Sequence, residues 1–467
     1  MNTKLLKQKI LDLAIRGKLT QQLKTDGTTA DLLKEISSTC HSGTKRSGAI
    51  ESKKSKDLKP IIPLDKSEAP FEIPANWEWV RLGDVIELIS GQDFPPNKYN
   101  AEKKGIPYIT GASNFVNGHV LLNRWTEFPS IVAQRNDILL VCKGSGYGSY
   151  VYADFEKAHI ARQIMAIRIS DKVLRAYVYN YLGSQYELLK FQGNGLVPGI
   201  ARNVVLDLKI PLPPLAEQQR IVAKIEEAFA EIDAVEKNKE LLKTHIKQTR
   251  QKILDLAIHG KLVPQNKTDE PASVLLERIT RDNPHYEKLT DIPFEIPDSW
   301  EWVKLGDVCA YGECDNIEVK NIPETSWILE LEDIEKDSGK ILQYLTKTER
   351  NINGVRHSFK KGDVLYSKLR TYLNKVLVAT EDGFCTTEIM PIKVGDLSGE
   401  YICQALRSQY FLDYTMMCGY GVKMPRLSTT DAKNGLIPLP PLAEQKRIVD
   451  RIEEIFASLD EISLHLV

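Results

Sequence analysis

Basic and amide side chains that follow short strand-like segments are the residues of this chain whose chemistry suits contact with nucleic acid bases. Arginine matches the acceptors of guanine, and asparagine or glutamine matches adenine. Small residues, as in Lys143-Gly144-Ser145-Gly146-Tyr147-Gly148-Ser149, let a backbone approach DNA closely. The alternative for each candidate is an ordinary solvated loop residue. The candidate contacts are Lys143, Ser145, Tyr147, Arg162, Gln163, Arg202, Asn203, Lys368, Arg370, Thr371, Lys423 and Arg426.

Cysteine usage, charge and hydropathy limit the classes of protein to which the chain can belong. Seven cysteines occur without a C-x-x-C pair, which favours free thiols in a reducing compartment over a zinc site. No apolar run reaches the length of about 18 residues that a membrane span needs, and the charged N-terminus lacks a signal peptide. We therefore expect a cytoplasmic protein without a bound metal. A net charge of −1 gives no general indication of nucleic acid binding, so any basic surface must be local.

The elements that position these residues are written twice along the chain. The segments between the repeated blocks, 86–209 and 309–436, share little beyond length and strand-rich composition. A common frame around two unlike inserts predicts one task performed twice with two specificities. The repeated blocks are KILDLAIRGKL (9–19) and KILDLAIHGKL (252–262), PFEIPANWEWVRLGDV (70–85) and PFEIPDSWEWVKLGDV (293–308), and IPLPPLAEQQRIVAKIEE (210–227) and IPLPPLAEQKRIVDRIEE (437–454).

Part of the frame has the apolar period of 3.5 residues that predicts a coiled-coil helix. This helix begins after Pro214 and ends at Gly260, and it would be about 65 Å long at 1.5 Å per residue. Its predicted seam is Ile221, Ile225, Ala228, Ile232, Val235, Lys239, Leu242, Ile246, Thr249, Ile253 and Leu256. The second copy starts with Ile448, Ile452, Ile455, Leu459, Ile462 and Leu466.

The missing half of the second copy matches Leu6, Ile10 and Leu13 at the N-terminus. If the N-terminal helix docks on the C-terminal one, the two helical regions become equivalent. The prediction is then a pseudo-two-fold arrangement with antiparallel central helices and one globular insert at each end. The alternative is two ordinary amphipathic helices, each packing on its own domain.

Each insert opens with W-x-W-V-(R/K)-L-G-D and has the pattern of a compact α+β domain. Strands are predicted at 138–141 and 363–366, and helices at 176–191 and 399–417. Ahead of the first insert, residues 37–69 are rich in Ser, Gly, Lys and Pro, which predicts a flexible linker. A basic arm that touches DNA is the alternative for this segment.

A divergent domain that runs from W-x-W-V-x-L-G-D to I-P-L-P-P-L-A-E-Q-x-R-I-V, present twice and joined by repeated helices, resembles the specificity subunit of type I restriction–modification enzymes. The resemblance covers essentially the whole chain and implies that the inserts are target recognition domains. The expected divisions are a helical segment (1–36), a flexible linker (37–69), recognition domain 1 (70–210), a central coiled-coil helix (211–262), a linker (263–292), recognition domain 2 (293–437) and a C-terminal coiled-coil helix (438–467).

The same resemblance implies a function for each part. Each recognition domain reads one half of an asymmetric bipartite DNA site, and the helices set the spacing and dock two modification subunits. Those subunits form an adenine-N6 methyltransferase that uses S-adenosylmethionine, and two restriction subunits that use ATP and Mg complete the endonuclease. The family also places recognition-loop residues where Arg162-Gln163 and Thr387-Glu388 stand.

Catalytic motifs are missing from the sequence, so we expect no catalytic residue in this chain. An adenine-N6 methyltransferase needs (Asp/Asn/Ser)-Pro-Pro-aromatic, and Phe94-Pro95-Pro96-Asn97 has other residues at both ends. No G-x-x-x-x-G-K-(S/T) loop for nucleotide phosphates occurs. Asp298, Glu301 and Lys304 resemble a nuclease motif, but the spacing of the last two does not fit. The competing hypothesis is a non-enzymatic two-domain coiled-coil adaptor that binds protein partners.

Overall fold

Two compact units, Met1–Lys237 and Asn238–Val467, make up the protein. The boundary lies inside one continuous helix, Leu215–Ile258. Each unit therefore carries the repeated blocks in the same order, from the KILDLAI block to the helix that follows PPLAEQ. The computed structural model describes residues 2–39, 61–144, 146–192, 199–281, 286, 289, 291–419 and 424–466. Most of the predicted linker 37–69 lies outside the described residues.

The first unit has an α+β composition. Its helices are α1 (Thr3–Ile15), α2 (Thr29–Thr39), α3 (Leu82–Val85), α4 (Lys172–Ser184), α5 (Tyr186–Gln192), α6 (Arg202–Leu206) and the start of α7 (Leu215–Ile258). Its strands are β1 (Glu78–Arg81), β2 (Glu87–Ser90), β3 (Ile106–Ile109), β4 (Phe115–Val116), β5 (His119–Val120), β6 (Trp125–Thr126), β7 (Val132–Gln134), β8 (Ile138–Val141), β9 (Tyr150–Tyr152), β10 (Lys157–Ile160), β11 (Ile164–Arg168) and β12 (Lys209–Leu212). They form the sheets β6-β3-β10-β7 and β2-β11-β8-β9 and the pairs β1-β12 and β4-β5.

The second unit repeats this plan after the end of α7. Its helices are α8 (Ala272–Thr280), α9 (Leu305–Val308), α10 (Gly399–Arg407), α11 (Gln409–Cys418), α12 (Thr429–Asn434) and α13 (Leu442–Leu464). Its strands are β13 (Glu301–Lys304), β14 (Ala310–Tyr311), β15 (Asn316–Glu318), β16 (Trp327–Leu329), β17 (Leu345–Thr346), β18 (Val355–Phe359), β19 (Val364–Ser367), β20 (Val376–Val378), β21 (Gly383–Thr386), β22 (Ile389–Lys393) and β23 (Leu436–Leu439). They form β14-β22-β19-β20, β15-β18-β21-β16-β17 and β13-β23.

The repeated blocks that flank each insert pair with each other as strands. β1 is antiparallel to β12 with Trp79 opposite Pro211, and β13 pairs with β23 in the same register with Trp302 opposite Pro438. Proline lacks a backbone N–H and cannot donate a hydrogen bond to a neighbouring strand. A two-stranded pair tolerates proline because the outer edge of each strand has no neighbour to pair with. The pairing brings the start and the end of each insert together.

A buried carboxylate joins this strand pair to the helix that follows. In the first unit, Trp77 Nε1 donates to Glu217 Oε2 at 2.8 Å, and Gln22 Nε2 donates to Oε1 at 2.6 Å. Glu217 is fully buried, and a carboxylate buried without donors would be costly. The second unit repeats both bonds, at 3.0 and 2.6 Å, with Trp300, Gln265 and the buried Glu444.

The strands that lead to the candidate loops are buried on both faces. Ile138 and Leu140 of β8 pack in one apolar cluster with α1 and α4, while Leu139 packs in another cluster between the two sheets. In β19, Val364 and Leu365 divide between two clusters in the same way. Burial on both faces explains why these strands are continuous apolar runs.

Several predicted elements are confirmed by the structure. The strand at 138–141 is β8, and that at 363–366 overlaps β19. The helical stretch 176–191 falls on α4 and α5, and 399–417 on α10 and α11. The linker predicted at 263–292 contains α8, whose Leu275 and Leu276 are buried beside the end of α7. No helix among the described residues combines the length and apolar composition needed to cross a membrane.

The predicted seam of α7 is covered near its ends and open in its middle. Ile221, Ile225 and Ile246 are buried, whereas the side chains of Val235 and Leu242 are 49% and 39% exposed. The seam is therefore covered over only part of its length. The reason is that each half of α7 packs against a short partner helix of its own unit.

A basic side chain at the same repeat position joins α7 to its partner helix in each unit. In the first unit, Lys7 of α1 pairs with Asp233 of α7 and lies 5.4 Å from the ring centre of Phe229. Thr3 Oγ1 donates to Glu236 at 2.7 Å, so α1 runs antiparallel to the first half of α7. The second unit has the same arrangement between α7 and α13, where Arg250 pairs with Asp460 at 2.7 Å and lies 4.6 Å from the ring of Phe456.

We expect Trp77→Phe to destabilise the first unit by about 1–3 kcal/mol beyond its loss of apolar area, because a buried carboxylate oxygen loses its donor. The free energy of unfolding is measured by titration with urea. Hydrogen exchange of the peptide 215–225 reports on the first unit. Trp79→Phe is the matched control, since the Trp79 indole donates only to the Phe71 carbonyl at 3.3 Å. Equal losses in the two variants would contradict the role given to Glu217.

Candidate nucleic-acid interface

Four chain segments of the first insert meet at the end of β8. Cys142 N–H donates to the Gln163 carbonyl at 2.7 Å, and Ile200 N–H donates to the Cys142 carbonyl at 2.7 Å. Lys143 forms a β-bridge with Gly199. Arg202 Nη1 donates to Ser90 Oγ at 3.0 Å. We call residues 90–93, 142–143, 162–163 and 199–202 the first loop cluster.

The equivalent strand of the second insert gathers the corresponding segments. Lys368 N–H donates to the Glu388 carbonyl at 3.0 Å, and Arg370 N–H donates to the Pro425 carbonyl at 2.8 Å. Leu369 forms a β-bridge with Arg426. We call residues 368–370, 388 and 425–427 the second loop cluster. Loops that the sequence could only suggest one by one are therefore adjacent in space.

An ion pair lies at the surface of the first loop cluster. Arg162 Nε is 2.6 Å from Asp93 Oδ2, and the Arg162 backbone N–H donates to Asp93 Oδ1 at 3.0 Å. The Arg162 side chain remains 68% exposed. Lys143, Gln163 and Arg202 are also exposed. The cluster therefore presents basic and amide groups to solvent, with one arginine held by a carboxylate.

A buried histidine holds the segment that carries Asp93. His159 in β10 is fully buried. Its Nε2 donates to the Gln92 carbonyl at 2.8 Å, and its Nδ1 accepts from Ile131 N–H at 3.3 Å. The Phe94 ring stacks on the imidazole at 4.1 Å with an interplanar angle of 8°. Burial lowers the pKa of His159, in agreement with the neutral tautomer that these contacts require.

The second loop cluster carries an ion pair of different construction. Arg426 Nε is 3.0 Å from Glu388 Oε2, and Nη2 is 2.5 Å from Oε1, a side-on fork. Nearby, Arg370 is exposed and adopts the left-handed φ of +52°. A non-glycine residue in this region costs about 1 kcal/mol or more, and such strain concentrates at functional sites.

Two of the candidate contacts are buried and do not belong to the exposed clusters. Tyr147 is buried in the core, where its hydroxyl donates to the Lys190 carbonyl at 3.0 Å. Thr371 is buried with its Oγ1 3.8 Å from Met416 Sδ. Asn203 is exposed and lines a cavity of about 420 Å³ beside Trp79. The predictions for Tyr147 and Thr371 are corrected, that for Asn203 stays a prediction, and Ser145 and Lys423 lie outside the described residues.

Sequence reasoning missed the residues that hold the clusters together. Asp93, Gln92 and His159 carried no pattern that marked them, because their partners are distant in sequence. A weak signal existed at Gly91, where an added Cβ would lie 2.1 Å from the Ala161 carbonyl oxygen. A glycine at the end of a strand is a sign of such a close approach.

With this geometry in place, comparison with known proteins identifies the family. The sequence profile of the "Type I restriction modification DNA specificity domain" matches residues 74–244 and 297–464. The matches begin just before each W-x-W-V block and extend into the helix after each PPLAEQ. The chain belongs to this family, and it contains two copies of the domain.

Curated relatives extend the match along the chain. The chain is 24% identical to the type I restriction enzyme EcoAI specificity subunit of Escherichia coli, over 98% of this chain and 90% of the relative. It is also 24% identical to the EcoDI specificity subunit of Escherichia coli, over 84% of each protein. The chain is thus a type I restriction–modification specificity subunit by homology.

Solved structures share the fold. A chain from the structural study of complex assembly and conformational transition of the type I R-M system has a TM-score of 0.55 at 20% identity, over 85% of this chain and 94% of that one. The HsdS subunit from Thermoanaerobacter tengcongensis has a TM-score of 0.51 at 18% identity, over 86% and 94%. Both likenesses concern the fold alone.

We expect the first unit to lose stability as the pH falls from about 7 to about 5. The folded pKa of His159 is depressed, so the unfolded chain binds more protons and stability rises with pH in this window. Denaturation at several pH values measures the slope. His159→Asn should abolish it, whereas His119→Asn, which changes an exposed imidazole beside Asp154, should retain it. An unchanged slope in His159→Asn would contradict the assignment.

Proposed function

We propose that this chain selects the DNA sequence for a type I restriction–modification enzyme. Each recognition domain reads one half of an asymmetric bipartite site with its loop cluster. Lys143, Arg162, Gln163 and Arg202 serve the first half-site, and Lys368, Arg370 and Arg426 serve the second. A cytoplasmic location, where the DNA is found, is part of the proposal.

One observation carries the proposal: two closely similar frames present unlike polar loops at the same structural position. The strand pairs β1-β12 and β13-β23 share their register, and both clusters form at the end of a doubly buried strand. Their side chains differ, since Arg162-Gln163 stands where the second insert has Thr387-Glu388. Two readers with different side chains favour two different half-sites over a palindrome.

Catalysis belongs to partner subunits in this proposal. Two modification subunits supply adenine-N6 methylation with S-adenosylmethionine, and two restriction subunits supply ATP- and Mg-dependent cleavage. The sequence contains no methyltransferase or nucleotide-binding motif. The helices offer apolar surface for docking these partners. In the first unit Leu5 is 65% exposed, and in the second unit Leu464 is 73% exposed.

The adaptor hypothesis, with protein partners alone, has less support. It accounts for the paired domains and the exposed helix residues. It gives no reason for arginines held at the strand ends, and membership of the DNA specificity family favours the DNA reader.

We expect the purified chain to show neither methyl transfer nor DNA cleavage. Co-purified with its modification partner and supplied with S-adenosylmethionine, it should direct methylation to one defined bipartite sequence. Sequencing of methylated adenines in random genomic DNA measures both results. Methylation by the isolated chain, or methylation without sequence preference by the complex, would refute the proposal.

A longer α7 should lengthen the gap between the half-sites. Four residues inserted into the 236–250 stretch add about one helical turn, roughly 6 Å. Because the loop clusters are untouched, both half-sites should keep their bases. Mapping methylated sites tests this, with Asn238→Ala/Lys239→Ala as the control that keeps the length. Altered half-site bases with an unchanged gap would show that the helix does not set the spacing.

A further inference from the structure

Asp93 and Arg162 make more contacts than the small stabilisation expected of an exposed ion pair would explain. The two side chains are 41% and 68% exposed, and exposed pairs contribute about 0–1 kcal/mol to stability. Yet Asp93 contacts Arg162 twice, through an ion pair with Nε at 2.6 Å and a hydrogen bond from the backbone N–H at 3.0 Å. An ion pair and a hydrogen bond to the same residue restrict the rotamers of Arg162, so the arrangement fixes the direction of its side chain more than it adds stability.

Asp93 is itself fixed by the buried core. The preceding Gln92 is held at both polar backbone atoms, since its N–H donates to the Ile160 carbonyl at 2.9 Å and its carbonyl accepts from His159 Nε2 at 2.8 Å. The following Phe94 stacks on the same imidazole. Residues 92–94 are therefore anchored on the buried strand β10, and Asp93 in turn contacts the exposed guanidinium of Arg162.

The geometry determines which part of the guanidinium is presented. Asp93 engages the Nε side, so the Nη1–Nη2 edge is the edge available for a planar, two-donor contact. That edge matches the O6 and N7 acceptors of guanine in the major groove. A freely rotating arginine would instead contact phosphates and bases alike, which contributes affinity without specificity.

The second loop cluster reverses the charges at the corresponding place. Arg162-Gln163, directly before β11, corresponds to Thr387-Glu388, directly before β22. There Glu388 is the carboxylate, and Arg426 from the segment before α12 is the arginine, bound side-on through Nε and Nη2. The corresponding segments thus carry the arginine of the ion pair in the first domain and its carboxylate in the second.

We propose that Asp93 is a positioning residue of the first recognition domain and that it orients Arg162 to read one guanine of the first half-site. This inference rests on the proposed function. Asp93 acts through Arg162, so removing its charge should relax one base pair and leave the others unchanged.

The test uses the full chain in complex with its modification subunits and a double-stranded DNA library with randomised half-sites. Sequencing of methylated molecules gives the preference at every position. Arg162→Lys should reduce discrimination at one guanine of the first half-site by about tenfold or more, the scale of one bidentate contact. Asp93→Asn should relax the same position, and the double variant should match Arg162→Lys alone, since the two residues act as a unit.

Glu156→Gln is the matched control. It breaks the exposed pair of Glu156 with Arg135, 2.8 Å apart, which lies in the same domain at the opposite end of β8. We expect it to leave the sequence preference of both half-sites unchanged.

Three results would overturn the inference while the proposed function stands. They are an unchanged preference in Asp93→Asn, an equal change at all positions, and a change confined to the second half-site. If Asp93→Asn fails to assemble, an unchanged preference in Arg162→Lys overturns it equally. A wild-type complex without any sequence preference would instead refute the proposed function.

Discussion

A hydrogen bond from a buried tryptophan to a buried glutamate is the contact on which the rest of each unit depends. Trp77 stands one residue before β1, and Glu217 lies in the first turn of α7 just after β12, so this bond ties both ends of the insert to the helix. In the second unit, burial raises the pKa of Glu444, and donation from Trp300 and Gln265 opposes the shift. The carboxylate can be buried only because these donors come with it.

The strand pair at the base of each insert separates the repeated frame from the variable loops of that insert. Because β1 pairs with β12 and β13 with β23, the loops of each insert lie outside the strand pair that joins the insert to the helices. The strands β8 and β19 are buried on both faces, so polar side chains can be exposed only at the ends of these strands. At those ends, the segment before β11 supplies the arginine of an ion pair in the first domain, and the corresponding segment before β22 supplies the carboxylate in the second.

Much of the architecture was predictable because it depends on local patterns. The repeats located the frame, and apolar runs located β8 and β19. The errors came from side-chain direction and from partners distant in sequence. Tyr147 and Thr371 stand in the expected loops but turn inward. The seam of α7 keeps a regular 3.5-residue period. Val235 and Leu242 are nevertheless exposed, because whether a seam residue is buried depends on how far the partner helices α1 and α13 extend.

The sequence by itself determined the duplication, the frame, the α+β class and the segments from which contact residues come. Periodicity and repetition are properties of neighbouring residues, so they survive without a fold. Only the tertiary structure decided that those segments converge on two clusters, that Asp93 holds Arg162, and that His159 holds the segment bearing Asp93. These contacts join residues 67–69 positions apart. Their geometry follows from which strands pair, and strand pairing is settled by the packing of the whole unit.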